Sequence, residues 1–370
     1  MKFLFVVPRY HTNLHYRAKT LIKHGHKVNV LAMYKGKSED YDAVEPEILG
    51  YSWCFKLINR FVKKPKDQLM KNPFELRYAH PGFFKTFWRI KKINPDVLVI
   101  KNIQSIYSIF ALIFGRLLGK KIIVLLQIDK YRPKQKSHSV DLVGKLFGAK
   151  VITPISGDRK YSNKNKNLLY IPYVVDVKDF DKTYFKDNKI NIVCVGKFQE
   201  RKGQLVLVKA INQLKDYFDL KLTLIGEEDE GKYTDNLLHY IKENKLSNIV
   251  ERKIKLPHKE VLEFLKTQDL KTQYLLVLPS WDEAASVSVA EAMASKLAVL
   301  STYDNGTRCY IEEGENGYIF KEKSVDDLLK ILKQVFADRD KITQMGQRSF
   351  ELAQENHSGQ KFYEKFNKII

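Results

Sequence analysis

The sequence predicts an α/β chain built as two doubly wound parallel sheets, each covered by helices. Three observations carry this. Short apolar runs alternate with amphipathic stretches. That rhythm pauses in the polar stretch Asp179–Asn188 and then starts afresh. The chain has 370 residues, 44% of them hydrophobic, enough for two cores of ordinary size.

In the first series Lys2–Val7 is a short apolar strand, His15–His24 a helix ending near Gly25, and Lys27–Ala32 a second strand. The turn pair Asn94-Pro95 sets up a strand at Asp96–Ile100. Ile106–Leu118 is a helix closed by Gly119, and Lys121–Leu126 and Lys150–Ile155 are further strands. The second series reads Ile190–Val195 strand, Gly203–Leu214 helix, Lys221–Ile225 strand, Tyr233–Asn244 helix, Leu275–Pro279 strand, Val287–Ser295 helix and Ala298–Ser301 strand. Strands that are apolar throughout belong in a sheet buried on both faces. No repeat of short period interrupts the series.

Composition narrows the function. No stretch reaches the roughly 20 apolar residues of a membrane-spanning helix. The N-terminus lacks a small-residue cleavage site and reads as a buried strand, not a signal peptide. Three widely spaced cysteines, Cys54, Cys194 and Cys309, argue against a disulfide framework or zinc knuckle and fit a cytoplasmic setting. Charge is lopsided. Residues 1–186 hold 36 Lys and Arg against 14 Asp and Glu, a net +22, while residues 187–370 net −1. A lysine-rich genome would raise both halves, so an anionic partner is expected for the first. Nucleic acid is set aside, since no nucleic-acid module is present. The aromatics of Phe83-Phe84-Lys85-Thr86-Phe87-Trp88-Arg89 have the spacing of a buried helix face. The amphipathic stretch Tyr51–Lys64, with Trp53, Leu57, Arg60, Phe61 and Lys64 near one stripe, points to peripheral contact with an anionic membrane.

Two segments carry chemistry. In Leu278-Pro279-Ser280-Trp281-Asp282-Glu283-Ala284-Ala285-Ser286-Val287 an apolar strand ends, a loop follows, and a helix begins near Ser286. That brings backbone N–H groups and a positive helix end to the carboxyl edge of a strand, which suits a diphosphate. Glu283 in the loop and Glu291 inside the helix are acceptors for hydroxyl groups, although a helix start also attracts acids for capping alone. In Val195-Gly196-Lys197-Phe198-Gln199-Glu200-Arg201-Lys202-Gly203, a strand ends at Gly196 and three cations precede a helix. Lys197 and Lys202 are placed to neutralise a leaving diphosphate without a metal. The acidic run Glu227-Glu228-Asp229-Glu230 reads as an exposed loop, not a metal site.

Together, Gly-Lys-Phe-x3-Lys-Gly from Gly196 and Pro-Ser-x2-Glu-x7-Glu-Ala-Met-Ala from Pro279 resemble the retaining glycosyltransferases of the GT-B fold, family 4, also called group 1. Weaker matches follow in the right order: His24-Gly25-His26-Lys27-Val28, Asn94-Pro95-Asp96-Val97, Ile171-Pro172-Tyr173-Val174-Val175-Asp176 and Gly314-Glu315-Asn316-Gly317-Tyr318. The resemblance implies two Rossmann-like domains facing across a cleft. Residues 1–180 would bind the acceptor and 188–350 the nucleotide sugar, with 351–370 a C-terminal helix packing back toward the first domain.

It further implies a metal-independent hexosyltransferase with no cofactor, using a UDP- or GDP-sugar as co-substrate and a saccharide or lipid-linked saccharide as acceptor. The setting it implies is surface polysaccharide synthesis in the cytoplasm or on the inner face of the cell membrane. Glu283, Lys202 and Lys197 are the catalytic candidates, and Gly196, Ser286, Val287 and Glu291 the donor-binding ones. The first loop, Pro8–Leu14, lacks the family's Gly-Gly pair, and Gln127 stands where many members have His. His11, Asn13 and Gln127 are therefore the acceptor-side candidates. Ile254 and Cys309 replace a family Gly and Glu, and Ala285-Ser286 replaces Phe-Gly. A non-catalytic partner subunit and a nucleotide-sugar epimerase are the alternatives.

Overall fold

A computed structural model describes residues 1–36, 40–62, 73–128, 137–157, 167–180, 189–228, 231–267, 273–281 and 283–370. The chain divides into two compact units, Met1–Val174 with Gly359–Ile370, and Val175–Ser358.

The first unit runs β1 (Lys2–Arg9), α1 (Thr12–Lys23), β2 (Lys27–Tyr34), β3 (Glu47–Ile48), α2 (Trp53–Asn59), α3 (Pro73–Tyr78), α4 (Phe83–Ile93), β4 (Val97–Lys101), α5 (Ile106–Leu117), β5 (Lys121–Leu125), α6 (Ser137–Phe147), β6 (Lys150–Thr153) and β7 (Leu168–Tyr170). Its seven strands are parallel, in the order β3-β2-β1-β4-β5-β6-β7. Phe5 pairs with Val30 on one side and Val99 on the other, which makes β1 central. A central strand has both faces covered, and Phe3 to Val7 are almost wholly buried. Asn94 takes the left-handed conformation (φ 49°) that stops α4 and, with Pro95, turns the chain into β4. Gly115 lets α5 lie on the sheet, because a Cβ there would meet Leu98 and Ile122 at 2.9 Å.

The second unit repeats the plan with β8 (Lys189–Val195), α7 (Gln204–Leu214), β9 (Asp219–Gly226), α8 (Lys232–Glu243), β10 (Val250–Ile254), α9 (His258–Thr267), β11 (Gln273–Leu278), α10 (Val287–Ala294), β12 (Ala298–Thr302), β13 (Gly317–Phe320), α11 (Val325–Ala337) and α12 (Arg339–Asn356). Its six parallel strands lie in the order β10-β9-β8-β11-β12-β13. The predicted fold class is the observed one. In each sheet the strand order reverses beside the first strand, at β1/β4 and at β8/β11. The carboxyl ends of those strands are where such sheets hold ligands.

The last helix, α13 (Gly359–Asn367), belongs to the first unit and packs on α1. Tyr363 stacks on His24 at 3.7 Å and shares a 3.0 Å hydrogen bond with His26. Phe362 and Phe366 are buried. Most of the stretch 179–188 lies outside the described residues; Asp179 itself accepts a 2.9 Å hydrogen bond from Lys296.

Two sequence expectations are corrected. The Tyr51–Lys64 stretch is helical only over Trp53–Asn59, and Lys64 lies outside the described residues. Phe55 is the side chain that it buries. The aromatic run of α4 is not a single buried face. Thr86 and Ile90 face the core and Phe87 packs against it, whereas Phe84 and Trp88 are exposed. A run richer in aromatics than one helical stripe can hold must send some of them outward.

Candidate functional site

In the second unit β8 ends at Val195, and the Gly196 N–H donates to Ile225 O at 2.8 Å. The loop after it is pinned from below by Gln204, the first residue of α7. Its buried amide donates to the Lys197 carbonyl at 2.8 Å and accepts from the Tyr233 hydroxyl at 3.1 Å. A short 3-10 turn, Glu200–Lys202, closes on Gly203, whose φ is +70°. A Cβ on Gly203 would sit 2.3 Å from the Pro279 carbonyl oxygen. Only glycine admits both the left-handed backbone and that close approach.

The same crossing ties the loop to the end of β11. The Trp281 N–H donates to the Arg201 carbonyl at 2.9 Å. The backbone of Glu283 is fixed next to Asn305 and accepts from the Gly306 N–H at 2.9 Å. Its carboxylate then reaches back across the switch point. Oε2 of Glu283 accepts from Lys202 Nζ and, at 2.9 Å, from Arg201 Nη1. Lys202 and Glu283 are each 13% exposed and Arg201 is 39% exposed. Cys194 lies buried below this loop, and burial pushes its thiol up to about 12.

Beyond Glu283 the chain enters α10. Ser286 precedes its first turn, with its hydroxyl 2.6 Å from that of Ser288 and not bonded to a helix N–H. Glu291 follows Val287 by four residues, on the same helix side. It is 3% exposed, and its Oε1 lies 2.7 Å from Nε2 of His258 at the start of α9. Lys197 pairs with Glu227 at 2.5 Å instead of joining Glu283.

Gly196, Lys202 and Glu283 thus come together at the β8/β11 edge, with Ser286, Val287 and Glu291 following on α10, while Lys197 in the same loop turns to Glu227. Two acids of the run after β9 are not simply exposed, as the sequence suggested. Glu227 binds Lys197 and Glu228 binds Arg252. Among the described residues no cluster of three His, Cys, Asp or Glu is arranged to hold a metal. Sequence reading passed over Arg201, visible only as one of three loop cations, and His258, a lone histidine with no signal.

In the first unit a cavity of about 850 Å³ opens at the β1/β4 edge, with Pro8, His11, Tyr34, Lys101 and Asn102 in its wall. His11 Nδ1 lies 3.1 Å from Arg9 Nη2. A guanidinium can only donate, so Nδ1 accepts and the neutral ring carries its proton on Nε2. Asn13, in the first turn of α1, and Gln127, whose amide donates to the Tyr173 hydroxyl, are not in that wall.

Residues 176–351 match the family described as glycosyl transferases group 1. The chain carries a group 1 glycosyl transferase domain. It is 25% identical over 209 residues to D-inositol 3-phosphate glycosyltransferase of Paenarthrobacter aurescens, covering 52% of this chain and 50% of that protein. It is also 25% identical over 160 residues to the lipopolysaccharide core biosynthesis glycosyltransferase LpsE of Rhizobium meliloti, covering 43% of each. The chain spans about half the length of the curated relatives it matches. The crystal structure of Anabaena HepE with UDP and glucose aligns over 100% of this chain and 98% of that one, with TM-score 0.70 and 14% identity. That likeness gives the GT-B fold.

Proposed function

We propose that the chain is a retaining glycosyltransferase that moves a hexosyl group from a UDP- or GDP-sugar to a saccharide or lipid-linked saccharide in surface polysaccharide synthesis. The observation that carries this is the Lys202–Glu283–Arg201 cluster at the β8/β11 switch point, just ahead of α10. As the donor's anomeric C–O bond breaks, negative charge grows on the nucleoside diphosphate. Lys202, Lys197 and the first N–H groups of α10 at Ser286 and Val287 are suited to stabilise that charge. Glu283 accepts donor sugar hydroxyls, and Glu291 accepts the ribose hydroxyls with its carboxylate fixed by His258. HepE was solved with UDP and glucose, which supports a nucleotide sugar here too.

Such an acceptor also explains the +22 of the first half, through peripheral docking on an anionic membrane. Among the described residues no helix is long and apolar enough to cross one.

The experiment is a panel of UDP- and GDP-sugars screened for thermal stabilisation, then transfer assays with the anomeric linkage read by NMR. One donor raising the melting temperature, together with a product of retained configuration, is the expected result. Inverted product would remove the retaining assignment. Absence of stabilisation by every nucleotide sugar would remove the donor site.

A further inference from the structure

The cavity at the β1/β4 edge has a chemistry of its own. Two cations line it: Lys101 at the last position of β4, half-buried, and Arg77 on α3, exposed. Among the described residues that line it, none is a carboxylate. The remaining wall includes an apolar side made of Tyr78, Ile103, Ile106 and Ile109. Its volume of about 850 Å³ is in the range of small-molecule sites.

The turn that follows the first cation is preset. Asn102 holds a left-handed φ of 70°, and its Oδ1 accepts from the N–H groups of Ile103 and Gln104 at 2.7 and 3.1 Å. Asparagine tolerates that backbone because its side chain bonds locally. The turn directs the chain from Lys101 into the first residues of α5 without a flexible hinge, so cation and apolar wall are fixed relative to each other. Arg77 directly precedes Tyr78 on α3, with its guanidinium 5.6 Å from that ring. A planar guanidinium supported by an aromatic face is suited to two parallel hydrogen bonds to an oxyanion.

We propose that this cavity takes a phosphate ester of the acceptor, gripped between Arg77 and Lys101, with the organic part of the acceptor against Tyr78, Ile103, Ile106 and Ile109. This deepens the transferase reading and rests on it only in calling the ligand the acceptor. The shared chemistry is a phosphate monoester, and it has two sources: a soluble sugar or polyol phosphate, or a lipid phosphate.

Thermal-shift and calorimetric titrations of the full chain separate them. The probes are glycerol 3-phosphate against glycerol, and farnesyl phosphate against farnesol. Wild type should bind at least one phosphate about tenfold or more tightly than its alcohol, the range expected for one charge-assisted hydrogen bond. Binding by glycerol 3-phosphate assigns a soluble acceptor, and binding by farnesyl phosphate alone a lipid one. Arg77→Gln and Lys101→Gln should each reduce the preference, and the double variant should abolish it, while stabilisation by whichever of UDP and GDP wild type binds stays unchanged. Phosphates that bind no better than their alcohols overturn the proposal, whatever the variants do. So does a folded double variant that keeps the preference. Failure of both UDP and GDP to stabilise wild type sinks the transferase reading instead, and leaves the phosphate result to be judged by itself.

Discussion

Lys202 and Glu283 come from loops 81 positions apart and meet with little solvent on either side. A largely buried pair of this kind, each partner 13% exposed, is poor evidence for stability but strong evidence for placement, since each charge fixes the other. Lys202→Ala leaves Glu283 with Arg201, so the domain should stay folded. Turnover should nonetheless fall about a hundredfold, the usual loss when one preorganised charge at a developing anion is removed. Glu283→Ala should act similarly. Steady-state kinetics with the cognate nucleotide sugar tests this, and a Lys202→Ala protein with near-normal kcat would sink the diphosphate assignment. His258 calls for a different outcome. Its bond to the buried Glu291 orients the group proposed to hold the donor ribose, and such contacts would change little along the reaction. His258→Ala should therefore raise donor KM, about tenfold, and leave kcat nearly alone, at a cost of about 1–3 kcal/mol in stability from the carboxylate losing its partner. His258→Gln, which retains an N–H donor, should recover part of the affinity. A fall in kcat with unchanged KM would put His258 in the chemistry and out of ribose binding.

At the scale of elements, the strands were the legible part. Apolar runs such as Lys2–Val7 and Lys121–Leu126 are buried on both faces, and the structure differs from the expected ends by one or two residues. The missed elements are those that long-range contacts define. Glu47–Ile48 is a strand only because it pairs with Leu31 and Ala32. The short α2 and α3 place Phe55 and Phe74 on the core. The residues of the proposed donor site could be picked out because Gly196–Gly203 and Pro279–Glu291 are each one contiguous segment. The unit-1 cavity was not, because Arg77, Lys101 and His11 come from three separate segments. One element carries a pH prediction. His26, which bonds Tyr363 of α13, has its pKa lowered below 6.5 first by burial, then by the N-terminal ammonium and His24. The unfolded chain thus takes up a proton at a pH where folded His26 does not. The stability from this group is full above about 6.5 and is lost as pH falls through the lower folded value. Amide exchange over Gly359–Asn367 should speed up, relative to its intrinsic rate, as pH drops from 7 to 5. His26→Gln should flatten that dependence. Equal pH dependence in both proteins would show that His26 does not secure α13.

At the scale of the whole molecule, the charge split of +22 against −1 meets an unusual surface on the first unit. Trp53 is 72% exposed on α2, Phe61 83% just beyond it, and Phe84 73% on α4. Leu57, Ile58 and Trp88 are exposed as well. Water-facing tryptophan and phenylalanine on short helices are costly unless something covers them. Exposed Lys56, Arg60 and Lys85 stand on the same two stretches. Apolar wedges beside cations are the composition of an interfacial helix on anionic lipid, each cation near the surface contributing about 1 kcal/mol. The prediction is reversible binding to phosphatidylglycerol vesicles in cosedimentation and little to phosphatidylcholine. Binding should fade as salt approaches half molar, where the Debye length falls to roughly 4 Å. The two components separate by mutation. Lys56→Gln with Arg60→Gln should weaken binding most at low salt, because it removes the screened term. Trp53→Ser with Phe61→Ser should weaken it at every salt concentration, because wedging into the headgroup layer is not screened. Equal recovery with neutral and anionic vesicles, or none with either, would leave the positive charge of the first unit to the acceptor alone. Phosphate-ester binding at Arg77 and Lys101 would then be its remaining use.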